Sequence, residues 1–126
     1  MAKHVVAIDN GTTSTRAIVF NEEAKKVSSA QLETHQVFPE AGWVEQEPRE
    51  LWENTRSVLS QALESGHLSP ADISAIGITT QRETTIMWNR KTGEALYNAI
   101  VWQDTRTQEW MSELEVSINS AGTLTT

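Results

Sequence analysis

Apolar residues come in short runs near the amino end and at a 3.6-residue spacing further on, and the two patterns predict different elements. Val5-Val6-Ala7-Ile8 is a short run stopped by Asp9-Asn10-Gly11, and β-branched residues in so short a run predict a strand buried on both faces. Asn10-Gly11 is a hairpin signal, because both residues accept positive φ at little cost. Thr15–Phe20, apolar over Ala17-Ile18-Val19-Phe20, supplies the returning strand. Asn21-Glu22-Glu23 predicts another turn and Lys26–Glu33 a third, more polar strand. These three strands make an antiparallel meander.

Residues 37–47 hold Pro39 and Gly42 without periodicity, which predicts an irregular loop pinned by Trp43. Pro48 suits the first turn of a helix, where its missing N–H would lack a partner anyway. Leu51, Val58, Leu59 and Ala62 share one face of that helix, and Gly66 is its predicted stop. Ser69-Pro70-Ala71-Asp72 predicts a capped turn and Ile73–Thr79 a strand. Strand, helix, strand implies a parallel crossover. Thr84–Trp88 and Leu96–Trp102 predict extended segments on either side of a turn at Asn89–Gly93. A last helix is expected from Asp104 or Thr105 to about Leu114, and the small polar residues 117–126 predict a frayed end.

Composition removes several function classes. The 126 residues suffice for one domain or part of one. Ten Lys and Arg against 17 Asp and Glu give a net charge of −7, which argues against nucleic-acid binding through neutralised phosphates and against an anionic membrane surface. The four apolar residues before Asp9 are too few for a signal-peptide core or a membrane span. The absence of cysteine fits a reducing compartment, so the expectation is a soluble cytoplasmic protein. His4, His35 and His67 are scattered without ligand spacing and are assigned neither metal nor catalysis.

Three polar segments carry candidate chemistry. In Asp9-Asn10-Gly11-Thr12-Thr13-Ser14-Thr15-Arg16 a carboxylate at a strand end precedes a glycine turn and four hydroxyl residues. Turn N–H groups and small hydroxyls suit nucleotide phosphates, Asp9 suits Mg²⁺ directly or through water, and Arg16 suits phosphate charge. The alternative is an ordinary hairpin with solvated hydroxyls. In Thr79-Thr80-Gln81-Arg82-Glu83-Thr84-Thr85 an adjacent Arg and Glu offer forked donors and paired acceptors for a polyol at the carboxyl end of a parallel strand. The alternative is a surface ion pair of little energetic value. Trp102, in Val101-Trp102-Gln103-Asp104-Thr105-Arg106, offers an indole face to the carbon side of a polyol. Its alternative is core packing, the reading preferred for the other tryptophans.

These segments, in this order, resemble a known family. The Asp9–Arg16 segment resembles the first phosphate motif of the actin-like ATPase superfamily. Together with Gly42-Trp43-Val44-Glu45-Gln46, Gly77–Thr85 and Asn98–Arg106, it resembles the glycerol kinases of the FGGY carbohydrate kinase family over residues 4 to about 115. The resemblance implies an α/β, ribonuclease-H-like fold and ATP-dependent phosphorylation of glycerol to glycerol 3-phosphate, with Mg²⁺. It implies that Thr12, Thr13, Ser14 and Arg16 contact the nucleotide phosphates, that Asp9 lies near the metal, and that Arg82, Glu83 and Trp102 bind glycerol. Homo-oligomers are implied for full-length members.

Family members are several times longer. The aspartate expected as general base, the second phosphate loop, the adenosine pocket and the second domain have no counterpart before Thr126. Residues 1–115 are therefore expected to form the N-terminal part of the first domain, with 116–126 an unmatched tail. The chain alone is expected to be inactive, with an exposed sheet edge and apolar surface. A kinase for another polyol or a pentulose, and a noncatalytic remnant, are the competing readings.

Overall fold

The computed structural model describes residues 3–120. In chain order the elements are β1 (His4–Asn10), β2 (Ser14–Phe20), β3 (Lys26–Glu33), β4 (Glu45–Gln46), α1 (Pro48–Ser65), a 3₁₀ turn (Pro70–Asp72), β5 (Ile73–Thr80), β6 (Ala99–Ile100) and α2 (Gln108–Ser120). The main sheet has the order β3-β2-β1-β5, with β1 antiparallel to β2 and parallel to β5. The meander and the crossover follow the sequence pattern. No helix among the described residues is long and apolar enough to cross a membrane.

One face of the sheet makes the core. Val6 and Ile8 of β1 and Ala17 and Val19 of β2 pack against Val58 and Ala62 of α1. The small side chains at Ala17 and Ala62 let helix and sheet approach closely. Ser28 Oγ on β3 donates to the Ala62 carbonyl over 2.6 Å. The expectation that β1 is buried on both faces is not met, because Val5, Ala7 and Asp9 lie on the face away from α1 and are exposed among the described residues. β5 forms the sheet edge, and its Ile76 and Ile78 stay exposed.

Other local expectations fail for identifiable reasons. The β1–β2 hairpin needs no left-handed residue, since neither Asn10 nor Gly11 has positive φ. Gly11 instead donates its N–H to the Ser14 carbonyl at 2.9 Å, and a Cβ at Gly11 would lie only 3.1 Å from that oxygen. Gly66 ends α1 in right-handed conformation, and the left-handed residue is the next one, His67, at φ 52°. The N–H of Leu68 then reaches the Leu63 carbonyl and that of His67 the Glu64 carbonyl, which together satisfy the last turn. Gly66 is small for another reason: a Cβ there would sit 2.8 Å from Ser28 Oγ.

Residues 37–47 are not wholly irregular. Val37 and Glu45 exchange both backbone hydrogen bonds, and Glu45–Gln46 pairs with Ala99–Ile100 as β4 and β6. The extended segments expected at 84–88 and 96–102 pair through isolated bridges at Thr85–Ile100 and Trp88–Ala95, and the two residues of β6 make their ladder with β4 instead. Residues 86–87 there face residues 96–99, so the rungs cannot be evenly spaced and no continuous ladder forms.

α2 begins later than Asp104 or Thr105 because those residues are anchored elsewhere. Thr105 donates its N–H to the Gly42 carbonyl, and Asp104 accepts from the Val44 N–H. The fraying expected from Ser117 is not seen up to Ser120, where α2 ends, and the rest of that expectation falls on 121–126, outside the described residues. The tryptophans also depart from the core reading: Trp52, Trp88 and Trp110 are each more than 60% exposed.

Candidate functional site

Register places the candidate segments at one end of the sheet. β1 and β5 run parallel with Asp9 beside Thr79 and Asn10 beside Thr80. The phosphate-type hairpin and the Gln81-Arg82-Glu83 loop therefore leave the same carboxyl edge. Gln81 ties them by donating its backbone N–H to the Asn10 carbonyl at 2.8 Å. Thr55 on α1 braces the edge from the core side, its hydroxyl 3.0 Å from Asn10 Oδ1.

Trp102 joins the same end. Its indole Nε1–H donates to Thr12 Oγ1 at 2.9 Å, and its side chain is otherwise half-exposed. The indole is thus neither core nor loose. Gln46, fully buried, donates from Nε2 to the Thr12 carbonyl at 2.6 Å.

Asp9, Arg16 and Gln31 line up across β1, β2 and β3 on the sheet face away from α1. Arg16 Nε donates to Gln31 Oε1 at 2.9 Å, so the guanidinium lies along the sheet. Thr13 is exposed and Thr12 and Ser14 half-buried. Arg82 and Glu83 are exposed, and neither makes an ion pair among the described residues, with each other or with any neighbour. The surface-ion-pair alternative is therefore not what the structure contains. Glu83 adopts φ 66°, a left-handed backbone that costs a non-glycine residue on the order of 1 kcal/mol and is common at ligand-binding turns.

Comparison with known proteins gives this arrangement a family. Residues 4–123 match the N-terminal domain of the FGGY family of carbohydrate kinases. The chain belongs to that family. It is 57% identical over 114 residues to a glycerol kinase of Paenarthrobacter aurescens, an alignment covering 90% of this chain and 23% of that protein. Among solved structures, it resembles Plasmodium falciparum glycerol kinase with ADP at TM-score 0.81 and 36% identity, over 90% of this chain and 23% of that one. It also resembles a xylulose kinase from Rhodospirillum rubrum at TM-score 0.82 and 27% identity, over 91% of this chain and 23% of that one. The chain thus spans about a quarter of the length of these relatives. The fold is part of the α/β, ribonuclease-H-like architecture of the actin-like ATPases, as the sequence implied.

Beside the site, the FGGY chain carries a charged network that sequence reading missed. Arg106 bonds Asp104 through Nε and Nη2 at 2.8 and 2.7 Å and reaches Glu45 at 2.7 Å. Both carboxylate side chains are only 1% exposed. Tyr97 Oη and Asn98 Nδ2 donate to the other lone pairs of Glu45 at 2.8 and 3.0 Å. Hydrogen bonds from Arg106 hold Asp104 down to about 2 and lower the Glu45 carboxyl as well, against the opposing effect of burial. The network locks the 42–46 loop against the 97–106 segment and so positions Gln46 and Trp102. The signal lies in two separate segments, Glu45 in Gly42–Gln46 and Asp104 and Arg106 in Asn98–Arg106, and Asp104, a helix-cap candidate by its position, serves the clamp instead.

Proposed function

We propose that the chain supplies the phosphate-binding hairpin and the polyol-binding segment of a kinase that transfers the γ-phosphoryl group of ATP to a terminal hydroxyl of glycerol, giving glycerol 3-phosphate and ADP. The observation that carries this reading is the 2.9 Å bond from Trp102 Nε1 to Thr12 Oγ1, which joins the two segments at one sheet end. In this reading Thr12, Thr13 and Ser14 donate hydroxyl and turn N–H groups to the phosphates, with Arg16 contributing charge. Arg82 donates to glycerol hydroxyls, Glu83 accepts from them, and the exposed indole of Trp102 covers the carbon side. In this reading residues 1–115 form the N-terminal part of the first kinase domain.

Among the described residues no group of three or more His, Cys, Asp or Glu side chains is placed to hold a metal. Mg²⁺ keeps most of its waters and takes one or two carboxylates plus substrate phosphates. The single exposed carboxylate of Asp9 beside the hydroxyl-rich turn fits that donor set. Mg²⁺ there would neutralise charge on the transferring phosphoryl group.

The reading is tested by grafting residues 4–115 in place of the matching segment of the Paenarthrobacter aurescens protein. The graft is expected to phosphorylate glycerol, and Arg82→Ala or Glu83→Ala to lower kcat/KM for glycerol by roughly 10–100-fold, the value of one hydrogen bond to a charged group. Unchanged kinetics in both variants would remove the polyol assignment. Preference for a pentulose over glycerol would favour the kind of acceptor named for the xylulose kinase relative.

A further inference from the structure

Five side chains close a ring of hydrogen bonds through the site. The Trp102 backbone N–H donates to Thr84 Oγ1 at 3.3 Å, the Thr84 hydroxyl to Gln81 Oε1 at 3.1 Å, and Gln81 Nε2 to Gln46 Oε1 at 2.6 Å. Gln46 Nε2 donates to the Thr12 carbonyl at 2.6 Å, and Trp102 Nε1–H returns to Thr12 Oγ1. The direction of this chain is forced from both ends. A backbone N–H can only donate and a carbonyl can only accept, so each carboxamide between them has one orientation.

Position 46 needs a group that donates and accepts at once. Gln46 is 0% exposed and its two partners are half-buried, so a side chain lacking either function leaves the Thr12 carbonyl or the Gln81 amide without its bond. The ring also defines the state of the Thr12 hydroxyl. Because its oxygen accepts from the Trp102 indole, its single proton is free for a phosphate oxygen. Donation to phosphate makes that oxygen a better acceptor and tightens the indole bond.

We propose that Gln46 is a positioning residue through which the nucleotide hairpin and the polyol segment hold one register, so that occupancy of either strengthens binding at the other. The proposal rests on the kinase reading above for the nature of the two ligands. Coupling of this kind is reciprocal: the factor by which ADP tightens glycerol equals the factor by which glycerol tightens ADP.

Two measurements test it. In the 126-residue chain, nitrogen–proton NMR of the indole groups compares the parent with Gln46→Leu and with the isosteric Thr84→Val, which keeps the ring question open should the leucine variant fail to fold. The Trp102 indole N–H is expected to shift and to exchange about tenfold faster in both variants, the equivalent of one neutral hydrogen bond, while that of Trp110 on α2 stays in place. A Trp102 signal that does not move in either folded variant overturns the positioning role. In the grafted kinase, glycerol affinity is measured with and without ADP. ADP is expected to tighten glycerol binding in the parent and to do so about tenfold less in Gln46→Leu. Equal tightening in both overturns the coupling. A parent graft that binds neither ligand counts against the kinase reading, and the NMR comparison then decides the ring independently.

Discussion

Arg106 lies over the ring of Trp43, 3.8 Å from its centroid, while its guanidinium bridges the buried carboxylates of Asp104 and Glu45. A cation against an aromatic face and between two anions is satisfied on every side. It clamps the 42–46 loop to the segment that carries Trp102. Gly42 makes the clamp fit, since its φ of 79° and the nearby Thr105 side chain leave no room for a Cβ.

This clamp makes the fold acid-sensitive. Asp104 is held at about 2 against an ordinary 3.8, and the Glu45 and Asp72 carboxyls are also lowered, the latter by the Ser69 side chain. The unfolded chain therefore binds more protons than the folded one in this range. Stability is expected to be fully present above roughly pH 4 to 5 and to fall as the pH drops toward about 2. Denaturant titrations at stepped pH check this, and Asp104→Asn is expected to start less stable at neutral pH and to show a flatter acid limb.

The end of α1 gives a pair of opposite effects. Gly66→Ala pushes a Cβ against Ser28 Oγ and Leu68 and is expected to cost roughly 1–3 kcal/mol. His67→Gly removes the left-handed penalty at φ 52° and is expected to gain about 0.5–1 kcal/mol, reduced from the full penalty by glycine's greater freedom in the unfolded chain. Urea unfolding midpoints of the two variants should move in opposite directions.

Glu83 separates stability from function. Its φ of 66° suits glycine better than glutamate, so Glu83→Gly is expected to leave the Tm unchanged or raised, by up to about 1 kcal/mol of stability. The same change removes the carboxylate proposed to accept from glycerol. In the grafted kinase it should therefore lower glycerol turnover as Glu83→Ala does. A variant that loses stability while retaining turnover would contradict both assignments.

The elements legible in the sequence are those specified locally. Lys26–Glu33 and Pro48–Ser65 are set by a turn, a proline and a helical stripe, and their observed ends agree with the pattern. β4 and β6 have two residues each and exist only because Glu45 meets Ile100 and Gln46 meets Ala99. No local periodicity announces such a pair. The same holds for the site: Asp9, Thr12 and Arg82 stand out as residue types in context. Gln46 does not, because its partners lie 34 and 35 positions away and its role appears only when the ring closes. Exposure of Trp52 and Trp88 was equally illegible, since a tryptophan on a helical or extended segment reads as core unless the opposing surface is known.

The central claim is that the hydroxyl-rich hairpin and the Trp102 segment serve one reaction, and a double-mutant cycle tests it most directly. Thr12→Val and Trp102→Phe each remove one end of the 2.9 Å bond. With kcat/KM for glycerol measured in the grafted kinase for the parent, the two single variants and the double variant, a coupling energy of about 1 kcal/mol is expected, the double loss being smaller than the sum of the single losses. Strictly additive losses would contradict the account, because they would mean that the two segments act independently.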